Sequence, residues 1–202
     1  VVIDEADTVL GDRQSSGDSG TSSRVFGQFA AQMGNTAYRG KIIWFLLTCR
    51  PDLLPIDLKR QGRCEVHIPL FYPETEEAFR AMFVAMGGKN RIDIAADEVP
   101  PMPGGMPLSG ADIEAIATRA KRLALLEEKD SVSGEHLARA LREFMPSAET
   151  DEKRLQILAS VIEATEVDFL PQSWRERATT PEGRTALMEE FRRVRAGLEA
   201  RV

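Results

Sequence analysis

The 202-residue chain, 43% hydrophobic, is long enough for one sizeable core or two small domains. Its 32 acidic and 26 basic residues give a net charge of -6, which argues against a broad basic face for duplex nucleic acid. Two cysteines, Cys49 and Cys64, and two histidines, His67 and His136, form no metal-ligand pattern, so no zinc site can be written and a reducing, cytoplasmic setting is expected. Val1-Val2-Ile3 reads as the end of a buried strand without the turn signals that precede one, which leads us to expect that the sequence begins within a domain. The segment from Asp12 to Ser23 is rich in Gly, Ser and Asp and is expected to be a loop. Arg24 to Gly34 places Val25, Phe26, Phe29 and Met33 at helical spacing.

Ile42 to Leu47 is a continuous apolar run typical of a strand covered on both faces, and it is far too short to span a bilayer. Leu53 to Arg60 predicts a short helix ended by Gly62, and Glu65 to Leu70 alternates like a further strand. From Pro73 the pattern turns helical. Glu74, Glu76 and Glu77 open a helix expected to reach Met86, before Gly87-Gly88. Ser109-Gly110-Ala111-Asp112 is a capping box for a helix to about Glu128, and Ser133 caps another to Phe144. Beyond Met145-Pro146-Ser147 come two amphipathic stretches, Asp151 to Glu166 and Pro181 to Arg201, joined by Asp168 to Thr180.

Apolar residues running into Asp4 and Glu5 place two acids at the carboxyl end of a strand, where α/β proteins bind ligands. There Asp4 could hold Mg²⁺ through water and Glu5 could activate a water for attack on a γ-phosphate. The bland alternative is a solvated strand end. The deciding context is Leu47-Thr48-Cys49-Arg50-Pro51-Asp52-Leu53-Leu54, then Leu58-Lys59-Arg60-Gln61-Gly62-Arg63, with Val66 to Leu70 and Pro73 after it.

In this order and spacing the chain resembles the AAA ATPase family from Val1 to about Phe144. The resemblance implies a fold that is α/β plus all-α: a partial P-loop NTPase parallel sheet (Walker B, sensor 1 and last strands), a helical lid, and C-terminal helices. It draws three parts, residues 1–72, 73–145 and 146–202, the last an extension with no family counterpart. ATP and Mg²⁺ are the implied cofactors. Asp4 and Glu5 fall on the Walker B acids, with Asp4 as the metal residue, while Arg60 and Arg63 fall on the two arginine-finger positions, which reach the γ-phosphate held by a neighbouring subunit. Without that context two arginines at this spacing would read as solvated charge. Ser109, Gly110 and Ala111 match the lid turn near the base and ribose; taken alone they are a helix cap. The loop from Gly11 to Ser23 matches the second pore-facing loop, with Arg13 and Arg24 as its candidates, the plainer reading being a connection. Trp44 and Trp174 read as packing residues.

Two features depart from the family pattern. Cys49 stands where sensor 1 is usually Asn; a thiol offers no amide, which leaves Thr48 as the substitute donor or hydrolysis slow. No Gly-x-x-x-x-Gly-Lys-Ser/Thr occurs: Gly40-Lys41 and Gly88-Lys89 both lack the flanking residues. In the family the P-loop strand lies between the sensor 1 and last strands, so a central strand is expected from the rest of the polypeptide or another copy. The implied function is ATP hydrolysis at the subunit interfaces of a ring, hexameric by analogy, acting on a protein substrate. Two other readings stay open: a non-catalytic AAA-like assembly module, and a DEAD-box helicase fragment, suggested by Val2 to Asp7 but without that family's downstream motifs.

Overall fold

The computed structural model describes residues 1–11, 21–146 and 150–200; for 21–25 only the backbone is described. Most of the expected loop from Asp12 to Ser23, with Arg13, lies outside the described residues, as does the Arg24 side chain. By contacts the chain divides into two compact units, residues 1–70 with 149–202, and residues 71–148. Residues 149–202 thus group with the residues that carry Asp4, Glu5, Arg60 and Arg63.

In the first unit β1 (Val2–Ile3) and β2 (Phe45–Leu46) pair in parallel, Val2 opposite Phe45 and Ile3 opposite Leu46. A parallel pair needs a crossover, and α1 (Ala6–Leu10) and α2 (Thr21–Gly34) lie within it. Ala6 and Leu10 of α1 and Ala30 and Met33 of α2 bury a small core with Leu54 and Leu58 from the turns after β2, against which Ile3, Trp44 and Leu46 pack. Phe29 meets the Trp44 ring edge-on at 6.0 Å, so Trp44 is a packing residue.

The apolar run at 42–47 is covered on one face only. Trp44 and Leu46 turn inward, while Ile43, Phe45 and Leu47 are exposed. Glu65 to Leu70, expected as a strand, joins no ladder among the described residues, and Val66, Ile68 and Leu70 are also exposed. The reason is that a strand is defined by its neighbour: alternation supplies two faces, but no described segment supplies the partner's amides and carbonyls. Between the two segments lies a cleft of about 1210 Å³, lined by these six apolar side chains among others. The short helix expected over 53–60 is instead a 3₁₀ turn at Pro51–Leu53 followed by turns, because Pro55 interrupts it.

The same unit contains α6 (Asp151–Glu163), α7 (Gln172–Thr179) and α8 (Pro181–Glu199), with α7 falling in the expected connection. Leu155, Leu158, Ala159 and Leu187 are buried here. Glu190 on α8 accepts from Arg154 on α6 and Arg177 on α7 (2.5–2.9 Å), and both guanidinium carbons lie within 5.6 Å of the Trp174 ring centroid. One carboxylate and one indole thereby join all three helices, worth more than any lone surface pair because the contacts are shared and partly dry.

The second unit is helical: α3 (Glu76–Lys89), α4 (Gly110–Leu126) and α5 (Gly134–Arg142). Phe79, Phe83, Ile113, Ile116 and Leu137 form its core, with the two phenylalanine rings 5.1 Å apart. Thr75 caps α3, which runs through Gly87-Gly88 rather than ending at Met86. Gly87 is needed there for close packing, since a Cβ would meet the Ile92 carbonyl oxygen at 2.8 Å. Buried His136 is satisfied, accepting from the Ser133 amide through Nδ1 with Nε2 3.2 Å from Glu127. Among the described residues no helix is long and apolar enough to cross a membrane.

Candidate functional site

The parallel pairing carries both chain segments past the end of the ladder together. Leu47 N donates to Ile3 O and Ala6 N to Leu47 O, each at 2.9 Å, so the turn at Asp4-Glu5 stands beside Thr48-Cys49. The turn is closed locally: Asp4 Oδ1 accepts the Glu5 amide (2.9 Å), and Glu5 adopts a left-handed conformation, φ 50 and ψ 45, immediately before α1. A non-glycine residue in that region costs of order 1–3 kcal/mol and persists where the surroundings enforce it. Both carboxylates are exposed.

Sequence reasoning passed over Asp7. It lies in the first turn of α1 and accepts a 2.5 Å hydrogen bond from Thr48 Oγ1, which in turn accepts the Arg50 amide at 2.9 Å. The signal available was the run Asp4-Glu5-Ala6-Asp7, which puts a third acid three positions after Asp4. Thr48 is therefore already occupied in tying the two strand ends together. Cys49 beside it is exposed and unbonded to other sulfur. Arg50 and Asp52 form a two-pronged pair, Nε to Oδ1 at 2.9 Å and Nη2 to Oδ2 at 2.8 Å, which with Asp7 nearby raises the Arg50 pKa further. This accounts for the Arg-Pro-Asp turn as a structural feature: the pair fixes the exit from β2.

Arg60 and Arg63 sit on the turns after buried Leu58. Arg60 is exposed and pairs with Asp57 (2.7 Å), whereas Arg63 is half-buried, donating from Nη1 to Asp57 O at 2.6 Å and lying against Gly34. Gly62 between them has φ 81, a conformation that favours glycine, and its amide is held by Glu65.

Ser109, Gly110 and Ala111 open α4 in the other unit. The Ser109 hydroxyl and amide both donate to Asp112 Oδ2 (2.6 and 2.9 Å), and the hydroxyl accepts the Asp112 amide, a complete capping box. A Cβ on Gly110 would make only ordinary contacts, with Met86 and Met82 at 3.8–3.9 Å, so helix packing does not require glycine there.

Comparison with known proteins decides what this arrangement belongs to. The family model described as "ATPase family associated with various cellular activities (AAA)" matches residues 1–72. Over these residues the chain is similar to the AAA family. Pairwise similarity runs further: the chain is 27% identical to a cell division cycle protein 48 homolog of Archaeoglobus fulgidus over 73% of its own length and 22% of the relative's. It is 26% identical to a proteasome-activating nucleotidase of Methanococcus vannielii (80% of this chain, 40% of the relative). It is 27% identical to a vesicle-fusing ATPase of Dictyostelium discoideum (65% and 18%). The chain thus spans well under half the length of these relatives.

The residues present suit Mg²⁺ in one respect. Among the described residues no cluster of three or more His, Cys, Asp or Glu could hold a metal alone. An exposed Asp4, with one oxygen already engaged, suits an ion that keeps most of its waters and takes further ligands from phosphate.

Proposed function

We propose that this chain is part of an AAA ATPase that hydrolyses ATP at the interfaces between subunits of a ring, hexameric in its family, to remodel a protein substrate. The observation that carries the reading is the parallel β1–β2 pair, which sets Asp4 and Glu5 beside Thr48 and Cys49 at its carboxyl end. Bound Mg²⁺ would neutralise charge developing on the transferred phosphoryl group. Asp4 would hold the hydrated ion, Glu5 would orient and deprotonate the attacking water, and Arg60 and Arg63 would approach from the adjoining subunit to stabilise the charge on the phosphoryl group. Ser109, Gly110 and Ala111 border the nucleotide base and ribose, the lid spanning residues 73–145 and the extension residues 146–202. The compartment is cytoplasmic.

The phosphate-cradling loop comes from outside these residues, and the strand that carries it occupies the apolar cleft between 42–47 and 65–70. The 202-residue chain alone therefore binds ATP weakly or not at all. Hydrolysis by the full-length polypeptide, compared with Glu5→Gln, tests the reading. Loss of at least a hundredfold in kcat with nucleotide binding retained is expected. An active Glu5→Gln protein rules the role out.

The second reading, a non-catalytic assembly module, draws on exposed Cys49 in the sensor 1 position and on Arg63 being tied to its own chain. It requires that the full-length polypeptide hydrolyse nothing and that Glu5→Gln change nothing. The helicase reading needs a second α/β domain, yet among the described residues after Tyr72 no strand occurs.

A further inference from the structure

The turns that carry Arg60 and Arg63 are bracketed by two contacts to one place on the C-terminal helices. Before them, Lys59 is nearly buried and its ammonium donates to Glu163 Oε1 at 2.6 Å and to Pro51 O at 3.1 Å. After them, the His67 ring lies between the carbonyl oxygens of Cys64 (Nε2, 2.9 Å) and Glu163 (Nδ1, 2.8 Å), and the His67 amide donates to Thr165 Oγ1 at 3.0 Å. The Cys64 amide closes the loop on Leu58 O at 3.0 Å. Glu163 is the last residue of α6, so its side chain and its carbonyl reach opposite ends of the same loop.

We propose that Glu163 is a positioning residue for the arginine fingers: the C-terminal extension braces the Arg60/Arg63 loop through Lys59 and His67, so that its conformation is set before a neighbouring subunit's nucleotide is met. The inference rests on the finger assignment made above. Its physical basis is that a long arginine side chain on a chain of turns loses rotamer and backbone freedom on docking, and a preformed loop has less to lose. The helix holds the loop at its two ends; within it Arg63 donates to Asp57 O and Arg60 pairs with Asp57, and Arg60 is exposed, as a group that must reach another subunit has to be.

The test uses mixed rings of the full-length polypeptide. Subunits with Glu5→Gln keep the fingers and lack the water-activating acid; subunits with Arg60→Ala and Arg63→Ala keep the acid and lack the fingers. Mixing is expected to restore hydrolysis that neither shows alone. Adding Glu163→Gln to the finger-donating subunit is expected to lower that restored rate about ten- to hundredfold with KM for ATP unchanged. Adding it to the finger-accepting subunit should leave the restored rate as it was. A donor carrying Lys59→Glu with Glu163→Lys, which rebuilds the ion pair reversed, should recover most of the loss. Equal effects in donor and acceptor, or none in the donor, overturn the brace. Absence of any restored hydrolysis in the first mixture instead sinks the finger assignment. Should Glu163→Gln not fold, Thr165→Val, which removes only the anchor of the His67 amide, takes its place with the same two outcomes.

Discussion

Thr48 donates a 2.5 Å hydrogen bond to the Asp7 carboxylate across 41 positions of sequence, joining the end of β2 to the first turn of α1. The contact holds the Asp4-Glu5 turn and the Thr48-Cys49 turn at a fixed separation, which is what a two-residue ladder by itself could not do. Hydrogen bonds to charged acceptors contribute about 1.5–3 kcal/mol. Thr48→Val keeps the shape and removes the donor. It is expected to destabilise the first unit by about 1–3 kcal/mol in denaturant unfolding and, in the proposed reading of Glu5, to lower kcat of the full-length polypeptide more than KM, because the Glu5 turn loses its fixed position.

In the proposed reading Cys49 stands at the sensor 1 position, a thiol where AAA ATPases usually have an amide. Cys49→Asn is expected to raise kcat severalfold without tightening nucleotide binding, since an amide orients a water that a weak S–H donor cannot. Steady-state hydrolysis alongside a nucleotide-binding isotherm checks this; unchanged kcat would mean that position 49 does not orient the attacking water.

Glu190 makes the helical extension sensitive to acid. Burial opposes its ionisation, but hydrogen bonds and charge from Arg177 and Arg154 outweigh this and hold its pKa below the ordinary carboxylate value. With the folded pKa depressed, the carboxylate's contribution is complete above the unfolded value, about 4.3, and is lost as pH falls through the folded value. Thermal unfolding followed by tryptophan fluorescence should show Tm falling below about pH 4.3. Glu190→Gln should be less stable at neutral pH and flatter across that window.

Phe83 is fully buried in the helical unit of residues 71–148. Phe83→Ala removes a ring that packs against Phe79 and should cost about 3–5 kcal/mol. Differential scanning calorimetry of the whole chain should show the unit of residues 71–148 shifted down. Unit 1 contains neither aromatic partner, and a uniform shift of both would show that the two units unfold together.

Much of the helical part was legible locally. Ser109 and Ser133 announce helix starts because caps act within a single turn, and the start expected after Pro73 is where Thr75 caps α3. The run through Gly87-Gly88 was not legible, because glycine reads as a breaker unless Ile92 and Ile94 are known to pack on it.

By itself the sequence determined the order of the elements, the caps, and the residue types at Asp4, Glu5, Arg60 and Arg63, since each depends on neighbours within a few positions. Tertiary structure decided which of them stand together: Asp7 beside Thr48, Glu163 beside Lys59 and His67, Glu190 between two arginines. It also decided that Ile43, Phe45, Val66 and Ile68 line an open cleft rather than a closed sheet. The physical reason is that hydrogen-bond partners and buried faces belong to pairs of distant segments, and alternation or charge in one segment does not say which other segment will meet it.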